Sequence, residues 1–254
     1  LMIAASLLEY NTKEDIAYLP NQFNYNIPVY ETSFGKSNKT IPIDVANIVV
    51  NKAKFIYEKK NDILNKIEEE KLLELYHDIE MPLAYVLGNM EYDGVHVDRN
   101  ILNEMGEDIK IKLELLSKDI YNQAGCEFNI SSPSQLGEVL FEKLNLPHGK
   151  KGKTGYSTAI DVLNKLSGKH PIIDLIIEYR MLTKLYTTYI EGLINAIMDD
   201  GKVHTIYTQT LTRTGRLSSI EPNLQNIPVR TEYGRLIRKA FVPSKDSIII
   251  SGDY

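Results

Sequence analysis

Cysteine and tryptophan are nearly missing from this chain of 254 residues, which contains one cysteine, Cys126, and no tryptophan. A single cysteine excludes an intramolecular disulfide and is consistent with a reducing cytoplasm, so we predict a cytoplasmic location. The five histidines are scattered singly. They form neither an HExxH motif nor a Cys/His cluster, and the sequence therefore does not predict a structural zinc site.

Long apolar runs are also missing, because no stretch of about 18 apolar residues occurs. The sequence therefore predicts no transmembrane helix. Residues 1–8 are apolar apart from Ser6, but they are few and lack a basic flank, so we do not interpret them as a signal peptide. The chain begins without Met, from which we expect a fragment, and its length allows one or two domains.

Acidic residues are scarce in one window of a protein that is otherwise acidic. The whole chain has a formal net charge of −5, whereas residues 202–245 contain eight Lys or Arg and two Glu. Within this window residues 208–228 read TQTLTRTGRLSSIEPNLQNIP and concentrate hydroxyl, amide and guanidinium groups. Such donors bond phosphate, sugar and base-edge oxygens, and a positive field favours a polyanion. Composition alone fits a nucleic-acid site and a solvated basic loop equally well.

Helical periodicity dominates from about residue 61. Asn61 or Asp62 can cap a first helix, and Pro82 then ends it or starts a new one. A second helix of about 25 residues is predicted between the cap Asp98 and the stop Gly125. The apolar stripes of these helices are expected to face the core.

Two later helices carry polar groups. The residues Ser132-Pro133-Ser134-Gln135 form a capping box at the start of one helix. The helix from about Pro171 to Asp199 places Arg180 and Lys184 four residues apart, so both lie on one face and can address one phosphate strand. A solvated basic pair explains the same spacing, and the residues alone leave both interpretations open.

The segment between these helices is basic and rich in glycine. From Lys143 to Ile160 it contains four lysines and no acidic residue. Glycine-rich basic loops let backbone amides and ammonium groups approach phosphate closely, although a flexible solvated loop has the same composition. The lysines are Lys143, Lys150, Lys151 and Lys153.

Two strands are expected nearer the carboxyl end. Residues 202–211 are predicted to form one strand, with Val203 and Ile206 as its apolar members. The apolar run Ile248–Ile250 predicts a buried strand that holds Asp253 at its end. An aspartate at such a place is commonly structural, so spacing alone assigns it no chemistry.

Three matches in the same order resemble family A DNA polymerases, the bacterial DNA polymerase I type. The first is TGRLSS at residues 214–219 followed by PNLQNIPVR at residues 222–230. The second is RLIRKAF at residues 235–241 with IIISGDY at residues 248–254, which resembles the start of the first palm motif. The third lies upstream of the other two: Glu178-Tyr-Arg180 with Lys184 resembles the family's DNA-contact helix.

The resemblance implies an α+β, mainly helical fold. It places an exonuclease-like remnant at residues 1–60, a thumb of long helices at 61–166, and the N-terminal part of an antiparallel palm sheet at 167–254. Proofreading members carry a Tyr and an Asp four residues apart shortly before the polymerase part, whereas residues 41–54 contain no Tyr and only Asp44 as an acid. We therefore expect the 3′–5′ exonuclease activity to be missing and residues 1–60 to serve as scaffold.

The resemblance also implies DNA contacts. Arg216 matches the arginine that reaches into the minor groove at the primer terminus, where purine N3 and pyrimidine O2 acceptors are common to all correct pairs. Arg180, Lys184 and Tyr189 fall where the family contacts template and primer backbones. The other expected DNA contacts are Asn129, Ser132, Lys153, Ser157, Thr212, Thr214, Asn223, Gln225 and Asn226.

Asp253 matches an aspartate that holds two Mg²⁺ ions in the family, and Tyr254 matches a residue that offers its backbone carbonyl to one of them. The implied activity of the intact enzyme is template-directed DNA synthesis in replication and repair, with primer–template DNA and dNTP as partners. We expect a monomer without membrane association. The second metal-binding aspartate and the nucleotide-binding helix of the family are not in the sequence. We therefore expect this chain alone to grip duplex without polymerising, and a non-catalytic DNA-binding or scaffold module is the alternative.

Overall fold

The structure is a computed structural model that describes residues 1–12, 16–28, 42–148, 151–152, 155–228 and 232–252. It is mainly helical with two small antiparallel sheets, which confirms the predicted fold class. The chain forms two compact units. Unit 1 comprises Leu1–Gly94 with His204–Asn226, and unit 2 comprises Val95–Val203 with Ile227–Tyr254. Among the described residues no helix has both the length and the apolar character needed to cross a lipid bilayer.

The helices and strands alternate irregularly along the chain. In chain order they are α1 (Met2–Leu7), α2 (Pro42–Glu69), α3 (Met81–Asp93), β1 (Val95–His96), α4 (Arg99–Ala124), α5 (Pro133–Gly137), α6 (Ile160–Leu166), α7 (Pro171–Lys184), α8 (Gly192–Ala196), β2 (Lys202–Val203), β3 (Ile206–Thr208), β4 (Ser218–Ile220) and α9 (Glu232–Lys239). Wider π-helical turns lie at Leu75–Glu80, Glu138–Lys143 and Leu185–Glu191, and short 3₁₀ turns lie at Ile16–Tyr18 and Pro20–Phe23.

Unit 1 is built on α2, whose apolar face is buried against α1. Phe55, Ile63 and Ile67 have no exposed side-chain surface, and Ala4 and Ala5 of α1 belong to the same core. The strand β3 pairs antiparallel with β4. It is also tied to α3, because the backbone N–H of Tyr207 donates to the carboxylate of Glu91 at 2.7 Å. The core and this tie fix where the loop between β3 and β4 begins and ends.

The predicted helix start at Asn61 or Asp62 is wrong. Helix α2 runs without interruption from Pro42 to Glu69, so both residues lie in its interior. The carboxylate of Asp62 pairs with Lys59 at 2.8 Å on the exposed face, and burial of the apolar face decides the helix instead of a local cap. Pro82 is the second residue of α3, as expected of a proline that starts a helix. The division of the chain at residues 60 and 166 stays a prediction.

In unit 2 the helix α4 begins and ends where the sequence predicts. Oδ1 of Asp98 accepts the N–H groups of Asn100 at 2.8 Å and Ile101 at 3.4 Å, and Gly125 ends the helix with φ +65°. The glycine is needed there because other residues rarely adopt this left-handed conformation. The buried stripe of α4 contains Leu102, Met105, Ile109, Leu116 and Ile120.

The core of unit 2 joins the end of α4 to α5, α6 and α7. Ile120, Leu136, Leu163, Ile172 and Ile176 are all fully buried in one cluster. The strand β1 pairs antiparallel with β2, with Val95 opposite Val203 and His96 opposite Lys202. The packed helices provide a rigid support for the polar side chains that lie on the outer face of α7.

The two strand predictions need correction. Residues 202–211 form two short strands with different partners, since β2 pairs with β1 and β3 pairs with β4. Val203 is fully buried, whereas Ile206 is 43% exposed. Ile248–Ile250 form no strand within the described ranges, and their side chains are 61–83% exposed. A strand gains stability by pairing with another strand, and no described strand pairs with this run.

Candidate nucleic-acid interface

Unit 2 contains an open cleft of about 930 Å³, lined by α5, α7, the π turn after α7 and the segment before α6. Its two described cations, Arg180 and Lys184, lie about one helical turn apart on α7. Hydroxyl groups supply most of the other polar atoms. The described lining residues are Ser131, Ser132, Pro133, Ser134, Tyr156, Ser157, Thr158, Ala159, Arg180, Thr183, Lys184, Thr187 and Thr188. Cations and hydroxyls together suit a ligand with phosphate oxygens.

Arg180 is held in the cleft by Thr158. Its Nη1 donates to the backbone carbonyl of Thr158 at 2.5 Å, and its Nη2 donates to the Thr158 hydroxyl at 3.2 Å. Partial burial lowers the pKa of the Arg180 guanidinium, which stays charged at neutral pH. Lys184 is exposed. The two cations thus line one cleft as the spacing predicts, but only Lys184 resembles a solvated surface residue.

The N-terminus of α5 forms another part of the cleft wall. Ser132 caps this helix as predicted, since its hydroxyl accepts the backbone N–H of Gln135 at 3.5 Å. The other half of the predicted capping box differs, because Oε1 of Gln135 accepts the N–H of Asn129 at 2.7 Å and not that of Ser132. Ser157 is exposed, and its hydroxyl accepts the N–H two residues further on at 3.5 Å. Local hydrogen bonds therefore fix the backbone at three of the expected contacts.

The basic segment from Lys143 to Ile160, which forms the tip of unit 2 between α5 and α6, is less positive than its sequence suggests. Glu142, which immediately precedes the acid-free segment, forms an ion pair with Lys151 at 2.8 Å. The hydrogen bond from Lys151 lowers the pKa of the Glu142 carboxyl. Lys143 donates to a backbone carbonyl at 3.2 Å. Lys150 and Lys153 lie outside the described residues, so the DNA contact of Lys153 stays a prediction.

In unit 1, Arg216 lies in an exposed loop that links β3 to β4. Gly215 has φ +72°, a left-handed value that is costly for any residue with a β-carbon. The hydroxyl of Thr212 donates to the backbone carbonyl of Arg216 and closes the turn. Thr212 is half-buried, whereas Thr214 and Arg216 are exposed. The loop therefore fixes the backbone at Arg216 and leaves the side chain exposed.

The base of this loop is a network of buried hydrogen bonds. Ser219 is fully buried, its hydroxyl lies 2.7 Å from that of Thr205, and it accepts the N–H of Leu224 at 3.0 Å. Nε2 of Gln209 donates to the carbonyl of Glu80 at 3.0 Å and to its carboxylate at 2.8 Å. The interpretation of the whole segment as a set of ligand donors is therefore wrong for Ser219 and Gln209, which hold the loop in place.

Three of the expected contacts form a second turn after β4. Oδ1 of Asn223 accepts the backbone N–H groups of Gln225 at 3.0 Å and Asn226 at 3.1 Å. All three side chains are exposed. One acceptor of Asn223 is thus used within the turn, and the side-chain amides of Gln225 and Asn226 remain accessible on the surface.

Tyr189 is the most buried of the three residues that are expected to contact the DNA backbones from this helical segment. It is 8% exposed and does not belong to the described lining of the cleft. It lies nine positions after Arg180, and the last five of these positions belong to the π-helical turn Leu185–Glu191. A contact of Tyr189 with DNA stays a prediction.

The expected metal ligands, Asp253 and Tyr254, lie outside the described residues. Within the described ranges no group of three or more His, Cys, Asp or Glu side chains is placed to hold a metal ion. A carboxylate and a backbone carbonyl are hard oxygen donors of the kind that Mg²⁺ prefers. The chemistry of this pair fits magnesium, but two ions require more ligands than these two residues supply.

Thr158 is the site residue that the sequence did not reveal. It is 5% exposed and contacts Arg180 across 22 positions of sequence. No periodicity connects residues so far apart, and the only local signal was the neighbouring Ser157, which was expected to contact DNA.

Residues 99–254 match the profile of DNA polymerase family A, which is more than half of the chain. The chain is 48% identical over 257 residues to the DNA polymerase I of Lactococcus lactis subsp. lactis (strain IL1403), covering 100% of this chain and 29% of that protein. It is 47% identical to the DNA polymerase I of Bacillus subtilis (strain 168), covering 96% of this chain and 28% of that protein. The chain therefore spans less than a third of the length of these curated relatives.

One similar solved structure is the POL domain of Pol1 from M. smegmatis in complex with a DNA primer-template and dNTP. Its TM-score with this chain is 0.81 at 31% sequence identity. The alignment covers 96% of this chain and 41% of that chain. The architecture of both described units thus recurs in a protein of known structure.

Proposed function

The chain belongs to DNA polymerase family A, and we propose that it supplies the duplex-binding part of an enzyme that extends a DNA primer along a template. The cleft in unit 2 carries this proposal, because Arg180 and Lys184 lie in it among serine and threonine hydroxyls. These groups bind the sugar-phosphate backbone without reading sequence, which suits an enzyme that must copy any template. The M. smegmatis protein of similar fold binds a primer-template.

The two cations have different tasks in this proposal. Arg180 offers a fixed guanidinium, since Thr158 accepts two of its five N–H groups and three remain for phosphate oxygens. Lys184 offers an exposed ammonium group on a flexible stem, which neutralises a neighbouring phosphate wherever it lies. Ser132, Ser157 and Asn129 are proposed to contact the backbone beside them.

We assign the loop of unit 1 to the primer terminus. The exposed guanidinium of Arg216 donates to minor-groove acceptors that all correct base pairs share, so it tests the shape of the pair. Asn223, Gln225 and Asn226, together with Thr212 and Thr214, are proposed as neighbouring groove or backbone contacts.

Asp253 and the carbonyl of Tyr254 would hold Mg²⁺, with further ligands from outside this chain's described residues. When bound, such ions promote attack by the primer 3′ hydroxyl on dNTP and stabilise the leaving pyrophosphate. The chain's own residues hold the duplex while this chemistry occurs. A monomeric state, a cytoplasmic location and the absence of proofreading belong to the same proposal.

Primer extension by a full-length protein that carries this sequence tests the proposal. We expect Asp253→Asn to reduce the extension rate about a thousandfold while duplex affinity is retained, because a metal ligand acts on chemistry. Asp246→Asn is the matched control, since Asp246 is an exposed acid seven residues earlier, and its rate should not change. Normal extension by the Asp253 variant would refute the metal assignment. A wild-type protein that binds duplex without extending primers would favour the non-catalytic DNA-binding or scaffold function.

A further inference from the structure

Thr158 lies between two walls of the cleft in unit 2. It precedes α6 and is 5% exposed, although it belongs to an irregular segment. Both of its acceptor groups, the backbone carbonyl and the hydroxyl, bind the guanidinium of Arg180. Two bonds from one residue fix the plane of a guanidinium as well as its position.

The other side of this segment rests on α5 at Gly137. A β-carbon at position 137 would lie 3.2 Å from Cβ of Tyr156 and 3.8 Å from Cγ2 of Thr158. The first distance is tighter than most packing contacts, so a side chain at position 137 would require Tyr156 to move away from α5 by a few tenths of an ångström. Thr158 is thereby held from one side by α5 and holds Arg180 on the other.

Fixing an arginine before its ligand arrives has a physical consequence. A free arginine side chain loses rotamer freedom when it binds a phosphate, and that loss weakens binding. In this chain part of the loss has already occurred on folding. The partial burial of Arg180, which lowers its pKa, agrees with a side chain that is packed before binding.

We propose that Thr158 is a positioning residue for duplex binding, which acts by holding the guanidinium of Arg180 ready at the cleft and not by touching DNA itself. The proposal rests on the proposed function of the cleft. It predicts that the hydroxyl of Thr158 contributes to affinity only while Arg180 is present.

A double-mutant cycle on the 254-residue chain tests the proposal, with Kd for a primer–template duplex as the readout. Thr158→Val keeps the shape and removes the hydroxyl acceptor, so affinity should fall about fivefold. Thr158→Ser keeps the hydroxyl and should stay within about twofold of wild type. In the Arg180→Ala background, Thr158→Val should cause no further loss.

Thr12→Val is the matched control. Thr12 is 2% exposed, lies in unit 1, and its hydroxyl has no hydrogen-bond partner among the described residues. The same substitution at this equally buried threonine should leave duplex affinity unchanged. Melting curves for all variants establish that each is folded at the assay temperature.

Three results would overturn the inference. One is an equal loss from Thr158→Val with and without Arg180, and another is a Ser variant as weak as the Val variant. The third needs no variant: NMR order parameters of the Arg180 side chain in the free protein should approach the ~0.85 of rigid backbone, and a value below ~0.6 contradicts a fixed guanidinium.

Failure of the proposed function has a different signature. If the wild-type chain binds duplex without salt dependence, or if Arg180→Ala has no effect, the cleft is not a phosphate site. If Arg180→Ala weakens binding and Thr158→Val does not, only the role of Thr158 is refuted.

Discussion

The cleft of unit 2 and the loop of unit 1 each present an arginine, and the two side chains are held in opposite ways. Arg180 is half-buried, and Thr158 binds its guanidinium. Arg216 is exposed, and the bond that the described residues make to it is to its backbone, from the hydroxyl of Thr212. In the first case the fold fixes the charged group itself, and in the second it fixes the point from which the group extends.

This difference suits two tasks. A backbone phosphate occurs at a regular position along a duplex, so a fixed cation can bind it with little loss of entropy. At a primer terminus the correct base pairs share their minor-groove acceptors, and an exposed side chain on a firm loop can reach into the groove to them. We therefore expect substitutions at Arg180 to change the affinity for duplex DNA. Substitutions at Arg216 should change how well matched and mismatched primer termini are extended.

Among substitutions that compare the loop with the cleft, the largest effect is expected where the loop is anchored. Ser219→Ala removes a fully buried hydroxyl that bonds Thr205 and the N–H of Leu224, and we expect a loss of about 2 kcal/mol in the free energy of unfolding. Urea unfolding measures this loss. Ser218→Ala, at the less buried neighbouring position, should cost less than about 0.5 kcal/mol. Equal losses at both positions would show that the loop does not depend on its buried base.

Lysine substitutions compare the two arginines directly. Arg180→Lys should weaken duplex binding about tenfold, because a single ammonium group cannot reproduce the planar fork that binds both acceptors of Thr158. Arg216→Lys keeps an exposed charge and should change Kd by less than about threefold. Fluorescence anisotropy with a labelled primer–template measures both values. A similar loss at both positions would remove the distinction between a guanidinium that is held by the fold and one that is exposed.

The turn that presents Arg216 can be altered without changing the arginine. Gly215→Ala places a β-carbon at φ +72° and should cost about 1 kcal/mol of stability. Extension of matched and mismatched primers should then change by different factors in a full-length protein. Gly88→Ala is the opposite control, because this exposed glycine lies inside α3 with no atom near its added carbon, and alanine should stabilise the helix. Destabilisation by both substitutions would contradict the role of the left-handed turn.

The smallest effect is expected at the tip of unit 2. Glu142→Gln frees Lys151 from its 2.8 Å ion pair, so duplex affinity should rise about twofold and depend more steeply on salt. Glu107→Gln breaks a similar exposed pair with Lys110 on α4, away from the cleft lining, and should leave affinity unchanged. A decrease in affinity with Glu142→Gln would mean that the ion pair supports the tip instead of competing with DNA.

Features with local signals could be predicted from the sequence. Both ends of helix α4 were predicted correctly, because Asp98 and Gly125 act on residues next to them. Arg180 and Lys184 line one cleft because a four-residue spacing is a property of the helix itself. Helix α2 was predicted to start too late, since Asn61 resembles a cap while the burial of distant apolar residues decides where the helix begins.

Features that depend on distant contacts could not be predicted. The bond between Thr158 and Arg180 joins residues 22 positions apart, and that between Thr205 and Ser219 joins residues 14 positions apart. The sequence shows hydroxyl groups at these positions but does not show which of them are buried. For the same reason the segment 208–228 could be interpreted as uniformly ligand-binding, although its middle holds the loop together.

The salt dependence of primer–template binding by the 254-residue chain tests the central claim most directly. If Arg180 and Lys184 each neutralise a phosphate, the logarithm of the association constant should fall with the logarithm of salt concentration with a slope of about −2 or steeper. Replacing both residues by Gln should make that slope shallower by about 2 units. A flat response, or a slope that the double substitution leaves unchanged, would contradict the assignment of the cleft as the place where this chain grips DNA.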